Sequence, residues 1–273
     1  MGKNQTGTTV RRNWRPYVLP LLAISFVSLT VLVGLQRLER MLIHDSRFVL
    51  RQGSLPGESS PDLRITGLNR ATASQVRRVF EEDEGRSVYL LPLAERQNRL
   101  AAIPWIRQAS VSRIWPNRVE VRVRERTPEA FIRLPGSRGS SKPMLIDGDG
   151  VILPVPEDRP RLELPALDGI REDQSQPDRA ARVRLMKRVQ EDLGAMAERV
   201  SEIDVRDTTS IRIIFQVGDR AVTLLLGNED FGRRVAVFLQ HFPEIVRRAP
   251  NATTFDLRLP DRITAVEEES NGE

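Results

Sequence analysis

A chain of 273 residues has room for an anchor and about two domains of roughly 100–150 residues each. It holds no cysteine and only two histidines, His44 and His241. That excludes disulfides, thiolate zinc sites and a cysteine nucleophile, and it leaves a Ser-His-Asp triad or a multi-histidine metal site little to draw on. The absence of cysteine leaves the compartment open, because an oxidising space permits disulfides without requiring them. The net charge of +5 would suit nucleic acid only if the folded part carried it. Instead Lys3, Arg11, Arg12, Arg15 and Arg37 fall within residues 1–38, which contain no acid, and the 37 basic residues that follow equal the 37 acids. The excess sits beside an apolar run, so it points to a membrane.

Tyr17 to Leu35 are 19 residues without a charge. At about 1.5 Å each they approach the roughly 30 Å hydrocarbon core of a bilayer. The hydroxyls of Ser25, Ser28 and Thr30 can bond back to carbonyls one turn earlier. Pro20 falls in the first turns, where a missing amide hydrogen costs little, and Trp14 and Tyr17 take interfacial positions. Unopposed basic residues precede the run and mixed charges follow it, which places the N-terminus in the cytoplasm. A cleaved signal peptide is the rival reading, but the run is long and Leu35-Gln36-Arg37 is a poor cleavage site. The reading divides into a cytoplasmic tail (1–16), a transmembrane helix (17–38) and a juxtamembrane linker (39–62). The Gly, Ser and Pro of residues 52–62 carry the linker signal.

Leu63–Thr66 alternates and meets Gly67, as a strand would. Thr72 with Gln75 makes a capping box for a helix lined by Val76, Val79 and Phe80, ended by Gly85. Pro92 suits the start of a second helix with Leu93, Gln97 and Leu100 on one side. Strands follow at Ala109–Ile114 and Val119–Arg124, across a turn at Trp115-Pro116-Asn117. Residues 63–126 thus read strand-helix-helix-strand-strand, a small α+β module. They carry 13 arginines against seven acids. These read either as a solvated basic face or as a docking surface for an acidic partner or lipid headgroups.

From Ala130 the pattern changes to short strands: Ala130–Arg133, Met144–Ile146 and Val151–Leu153, with a hairpin tip at Ser137–Ser141. A helix starting at Pro177 carries Val183, Met186, Val189, Leu193 and Met196. Strands follow at Val200–Val205, Ile211–Gln216 and Ala221–Leu226, the last two joined at Gly218-Asp219. Asn228 is placed to cap a helix bearing Phe231, Val235, Phe238, Leu239 and Phe242. Thr253–Leu259 is a late strand stopped by Pro260, and Ile263–Val266 adds one more. An acidic tail, 267–273, closes the chain.

The residues assemble no catalytic, cofactor-binding or metal-binding constellation. Asp147-Gly148-Asp149-Gly150 resembles part of a calcium loop, but the twelfth position is Asp158 and Pro154 and Pro156 intervene, so it reads as a turn. The acid pairs Glu81/Glu82 and Glu172/Asp173 read as solvated. His241, next to Phe242, reads as a packed or half-exposed histidine. An anchored pair of modules without chemistry reads as a binding scaffold.

The segment LAAIPWIRQA at 100–109, continuing VSRIWPNRVEVRVRERTPEAFIR, resembles the FtsQ/DivIB family of bacterial cell division proteins. The residues that carry the resemblance are Leu100, Pro104, Trp105, Ile106, Ala109, Val111, Arg113, Pro116, Val119, Glu125, Arg126, Pro128 and Ala130. Ile65 to Gly67, Leu145-Ile146-Asp147 with Gly150, and Phe255-Asp256-Leu257-Arg258 extend it in the same order. Leu259 stands where the family often has an aromatic residue. Trp105 and Pro104 read as pinning the second helix to its sheet, and Glu125–Pro128 as a salt bridge or hinge where the modules meet.

The resemblance implies a POTRA module at 63–126, a β domain at 127–266 and a fold of class α+β behind one membrane helix. It also implies a non-enzymatic, cofactor-free scaffold at the septum of the inner membrane, linking early and late division proteins. FtsB/FtsL-like proteins would be its partners, with FtsK/FtsW/FtsI-like proteins as further candidates. No nucleic acid or small-molecule substrate is implied. If Thr253–Leu259 lies at a sheet edge, Thr254, Phe255, Asp256, Leu257, Arg258 and Leu259 can receive a partner strand. The competing functions are a POTRA-bearing accessory of envelope assembly or secretion, and an anchored periplasmic enzyme.

Overall fold

The computed structural model describes residues 15–51, 53, 61–69, 73–135, 141–156, 162–259 and 262–266, with side chains from Pro20 onward. Residues 1–14 with Trp14, most of the linker 52–62, the cap residue Thr72, the hairpin tip at 137–140, Asp158, Pro260 and the acidic tail 267–273 lie outside the described residues. Two compact units emerge. One takes in Met1–Thr66, Ser74–Arg99 and Ser110–Arg122; the other takes in Gly67–Ala73, Leu100–Ala109 and Val123–Glu273.

The first unit begins with α1 (Arg15–His44), a helix of 30 residues. It continues nine residues past the charge-free run. Its stretch Pro20–His44 is long and apolar enough to cross a membrane. Thr30 donates to the carbonyl of Phe26 at 2.8 Å, the back-bond expected of a hydroxyl in an apolar helix. Asp45 then caps a short 3₁₀ turn, Ser46–Phe48, by accepting from the Arg47 amide.

β1 (Leu63–Thr66) pairs in parallel with β3 (Arg118–Glu125), Leu63 opposite Val119 and Thr66 opposite Arg122. With β2 (Ile106–Ile114) they form a three-stranded sheet of order β1-β3-β2. On β3 the valines 119, 121 and 123 are buried while Arg118, Arg122 and Arg124 are exposed; the strict alternation puts one face on a core. α2 (Ala73–Arg78) is only six residues long and gives way to a 3₁₀ turn, Glu81–Asp83, with Val76 and Phe80 buried.

α3 (Leu93–Ala101) corrects the sequence reading of its buried face. Gln97 is exposed, and the inward positions are Leu93, Arg96 and Leu100. Arg96 is 2 % exposed and grips Asp83, itself 1 % exposed, through Nε–Oδ2 at 2.6 Å and Nη2–Oδ1 at 2.9 Å. A guanidinium enters the interior there because a carboxylate matches its fork geometry.

The second unit is built on a nine-stranded sheet. Its strands are β4 (Pro128–Pro135), β5 (Ser141–Asp147), β6 (Ile152–Pro154), β7 (Ala166–Asp168), β8 (Val200–Asp204), β9 (Ile211–Val217), β10 (Arg220–Gly227), β11 (Thr254–Asp256) and β12 (Thr264–Val266), in the order β12-β11-β10-β9-β8-β7-β4-β5-β6. β7 was not foreseen. It is three residues long and bridges β4 and β8 in parallel, joining two antiparallel groups into one sheet. α4 (Gln176–Leu193) and α5 (Phe231–Arg248) close one face. Val183, Met186, Val189 and Leu193 from α4 share a continuous apolar core with Ile203, Ile211, Ile213, Phe215, Leu224, Phe238 and Phe255. The cap of α5 is Asp230, with φ of +54°, rather than Asn228.

Trp105 also departs from expectation. Rather than pinning α3 to the three-stranded sheet, it packs with Leu145 and Leu153, and its indole donates to the carbonyl of Pro154 at 3.1 Å. Arg126 pairs with Asp147 at 2.7 Å and Asp149 at 3.2 Å, while Arg107 reaches Asp149 at 3.0 Å. Asp147 in turn accepts from the amides of Asp149 and Val151, which makes 147–150 a hydrogen-bonded turn.

Candidate functional site

The late strand lies one position inside the sheet. β11 is paired with β10 in parallel and with β12 antiparallel, so the edge belongs to β12. The expected free edge at Thr253–Leu259 is corrected on this point. The physical reason is the length of chain after Pro260, which suffices to fold back and pair Thr264 with Asp256 and Val266 with Thr254.

The direction of each backbone group on this edge follows from the hydrogen bonds. Thr223 donates to the carbonyl of Thr253 at 2.7 Å, and Leu257 donates to Leu225 at 2.9 Å. Odd positions of this segment therefore face β10, and Thr254 and Asp256 face β12. Their partners Val266 and Thr264 turn their backbone groups inward. Ala265, between them, turns its N–H and C=O outward, where no further strand stands among the described residues.

The side chains of the six predicted residues divide by the same alternation. Phe255 is fully buried, its ring 5.1 Å from Phe238 and 6.4 Å from Phe242, and it fastens α5 to the sheet. Leu257 is buried and Leu259 is 54 % exposed. Thr254 is buried on the opposite face. Asp256 accepts from Arg258 in bidentate fashion, Nη2–Oδ2 at 2.6 Å and Nε–Oδ1 at 2.9 Å, and that hydrogen bonding holds its carboxyl below the usual carboxylate range. The six residues thus share a strand but not a surface.

Leu257 and Leu259 belong to a larger feature, a groove of about 430 Å³ between α5 and the segment leading to β12. Val237, Ile245 and Ile263 complete its apolar lining, and His241, exposed rather than packed, lies along it. Arg233, Arg234, Arg248 and Arg262 outnumber Asp230 and Glu244 at its rim. Arg234 is spent on the carbonyl of Leu226 and Arg248 on Glu244. Arg233 and Arg262 have no acidic partner among the described residues. The groove therefore offers hydrocarbon flanked by unneutralised guanidinium, which suits an apolar segment with acidic flanks. The sequence reading missed the α5 contribution. Its signal was Val237, an exposed apolar residue off the buried stripe of Phe231, Val235 and Phe238.

No group of three or more His, Cys, Asp or Glu side chains able to hold a metal occurs among the described residues.

Comparison with known proteins gives this geometry a family. Residues 61–126 match the POTRA domain, FtsQ-type, and residues 137–258 match Cell division protein FtsQ/DivIB, C-terminal. Among similar proteins, the Cell division protein FtsQ of Koribacter versatilis is 29 % identical over 76 % of this chain and 59 % of its own length. That of Syntrophotalea carbinolica is 27 % identical over 66 % of this chain and 63 % of its own. That of Rhodothermus marinus is 29 % identical over 76 % and 77 %. The chain spans about three fifths of the first two relatives. The two domain matches, one following the other and together covering most of the chain, show that it belongs to the FtsQ/DivIB family of cell division proteins.

Proposed function

We propose that this protein is a non-enzymatic scaffold of the divisome, linking early and late division proteins at the septum. In this reading α1 anchors it in the inner membrane with the N-terminus in the cytoplasm, and a POTRA module at 63–126 and a β domain at 127–266 stand on the periplasmic side. Its partners are FtsB/FtsL-like proteins, held in part by strand addition, with FtsK/FtsW/FtsI-like proteins as further contacts.

The observation that carries the reading is the outward backbone of Ala265 beside the basic-rimmed apolar groove. An edge strand of three residues supplies register, and a groove next to it supplies area and charge selection. The proposed binding residues 254–259 then act in two ways. Thr254 and Asp256 hold β12 in place through their backbone, Phe255 fastens α5 and Arg258 braces Asp256, while Leu257 and Leu259 line the groove.

The test uses Ala265→Pro. It removes the one N–H that faces outward and leaves the pairing of Thr264 and Val266 with β11, so the fold should tolerate it as edge strands tolerate proline. Photo-crosslinkers placed singly at Leu259, Ala265 and Val237 should capture an FtsB-like partner in dividing cells, and Ala265→Pro should sharply reduce capture at Leu259 and Val237 and produce filaments. Full capture by the proline variant would refute strand addition. Normal septation after depletion of the protein would refute the divisome role.

A further inference from the structure

Beyond the anchor, the first unit exposes a second apolar surface. Tyr89, Leu90, Ile114 and Trp115 are 39 %, 53 %, 42 % and 52 % exposed. They come from two separate loops of the chain, the 3₁₀ turn Val88–Leu90 and the hairpin end formed by the last residue of β2 and Trp115. Arg113 holds the loops together by donating Nε to the carbonyl of Val88 at 2.5 Å and Nη2 to those of Tyr89 and Leu91 at 3.1 and 3.0 Å.

The same loops are fastened to the end of α1. Ser87 donates its hydroxyl to the carbonyl of Leu42 at 2.5 Å, in the last turn of the helix. Trp115 meets the edge of Phe48, just beyond α1, at 5.7 Å. Val49 bridges Ser87, and Leu50 exchanges backbone bonds with Gly85 and Arg86. The four exposed side chains are therefore held at a fixed height relative to the helix.

That height can be placed. A span starting near Tyr17 uses about 20 residues for the hydrocarbon core, ending near Arg37. Leu42 lies five residues further, about 8 Å at 1.5 Å per residue. The polar layer on one side of the core is roughly 5–8 Å deep, so the Leu42 turn falls at its outer boundary. Leu38 and Met41 stay exposed and apolar on α1, while Arg37 and Arg40 on the same stretch can reach the headgroups with their heads and keep their stems in hydrocarbon.

We infer that Tyr89, Leu90, Ile114 and Trp115 form a membrane-docking patch that inserts into the headgroup layer on the side of the bilayer where the folded unit emerges. Indole and phenol rings favour this layer because one end of each is apolar and the other hydrogen-bonds to water or phosphate. The patch gives the unit a second point of attachment and restricts its swing about the end of α1. The inference rests on the reading of α1 as a membrane-spanning helix.

The absence of cysteine makes the test clean. Single variants Leu90→Cys, Ile114→Cys and Leu29→Cys of the full chain carry an environment-sensitive fluorophore in phosphatidylethanolamine–phosphatidylglycerol vesicles free of other protein. Leu29 should be quenched by lipids bearing the spin label at mid-chain. Leu90 and Ile114 should be quenched about two-fold more by a label near the headgroup than by one at mid-chain, and should resist aqueous iodide. Quenching at Leu29 with iodide-accessible, unquenched probes at both Leu90 and Ile114 would overturn the patch while leaving the anchor intact, and would assign the surface to a protein. No quenching at Leu29 would overturn the anchor and the patch together.

Discussion

The two units bury different things. In the first, Asp62, Asp83, Ser87 and Arg96 are all buried, and charged pairs tie its turns together. The second is larger, but among the described residues its buried polar side chains are Asp147 and Thr254, and its main apolar core draws on residues from Ala130 to Leu257. The contrast follows from size. A small sheet with short helices lacks hydrocarbon to bury, so directional bonds take a larger share of its stability. A nine-stranded sheet under two 18-residue helices can rely on packing. The first unit should therefore fail through unpaired charge, and the second through cavities.

The largest effects test this difference directly. Asp83→Ala deprives Arg96 of its one buried carboxylate, leaving only the exposed Glu82 and Glu95, and should cost about 3–5 kcal/mol. Adding Arg96→Met to that variant should recover most of the loss. Phe255→Ala removes the ring wedged between Phe238 and Phe242 and should cost a similar 3–5 kcal/mol or so, with no charge substitution able to restore it. Urea unfolding of both series reads the distinction. Equal rescue of both, or rescue of neither, would break it.

A backbone effect comes next. Gly67 has φ of +86°, and a Cβ there would lie 2.0 Å from the carbonyl oxygen of Val123. Gly67→Ala should cost about 1–3 kcal/mol by strain, more if the overlap moves β3. A loss below this range would mean that the chain relaxes around the methyl group.

A pH series separates the units further. Asp62 is buried and receives Arg51 on both oxygens, at 2.7 and 2.9 Å, with Asn117 at 2.9 Å. The hydrogen bonds from Arg51 hold its carboxyl below its ordinary value of 3.8. Because the folded value is depressed, the stabilisation is complete above 3.8 and disappears as pH falls through the lower folded value. Asp62→Asn should cost about 1–3 kcal/mol at neutral pH, and the gap to the unmodified protein should narrow on acidification. A gap unchanged with pH would remove the charge from the explanation.

The smallest effect on stability should accompany a large one on binding. Arg233→Glu with Arg262→Glu, both at the groove rim, should alter stability by no more than about 0.5 kcal/mol while weakening the FtsB/FtsL-like partner about ten-fold or more. Calorimetric unfolding and a binding titration on the same samples check both halves.

How legible these features were depends on range. The long apolar helix was plain because 19 charge-free residues are a local property. The α4 stripe was plain because Val183, Met186, Val189 and Leu193 fall on one side of a helix whatever covers them. Arg96 was not, because its buried partner Asp83 lies thirteen residues away. Trp105 finds its acceptor 49 residues on, at Pro154, and nothing near Trp105 announces it. β7 is too short for any periodicity. At the site, the terminal strand itself was legible. The turn that lays β12 outside it was not, because the Phe255–Asp256 pattern says nothing about which neighbour follows. The groove needed α5 and residues 257–263 brought together, a tertiary fact.

On the proposed function, Ala265 offers the free backbone edge on which a partner strand adds. Amide hydrogen exchange at Ala265, with and without a saturating FtsB/FtsL-like partner, tests it most directly. The predicted result is fast exchange in the free protein and strong slowing at Ala265 in the complex, with the amides of Thr254 and Asp256 protected throughout. Unchanged fast exchange at Ala265 in a fully formed complex would contradict it.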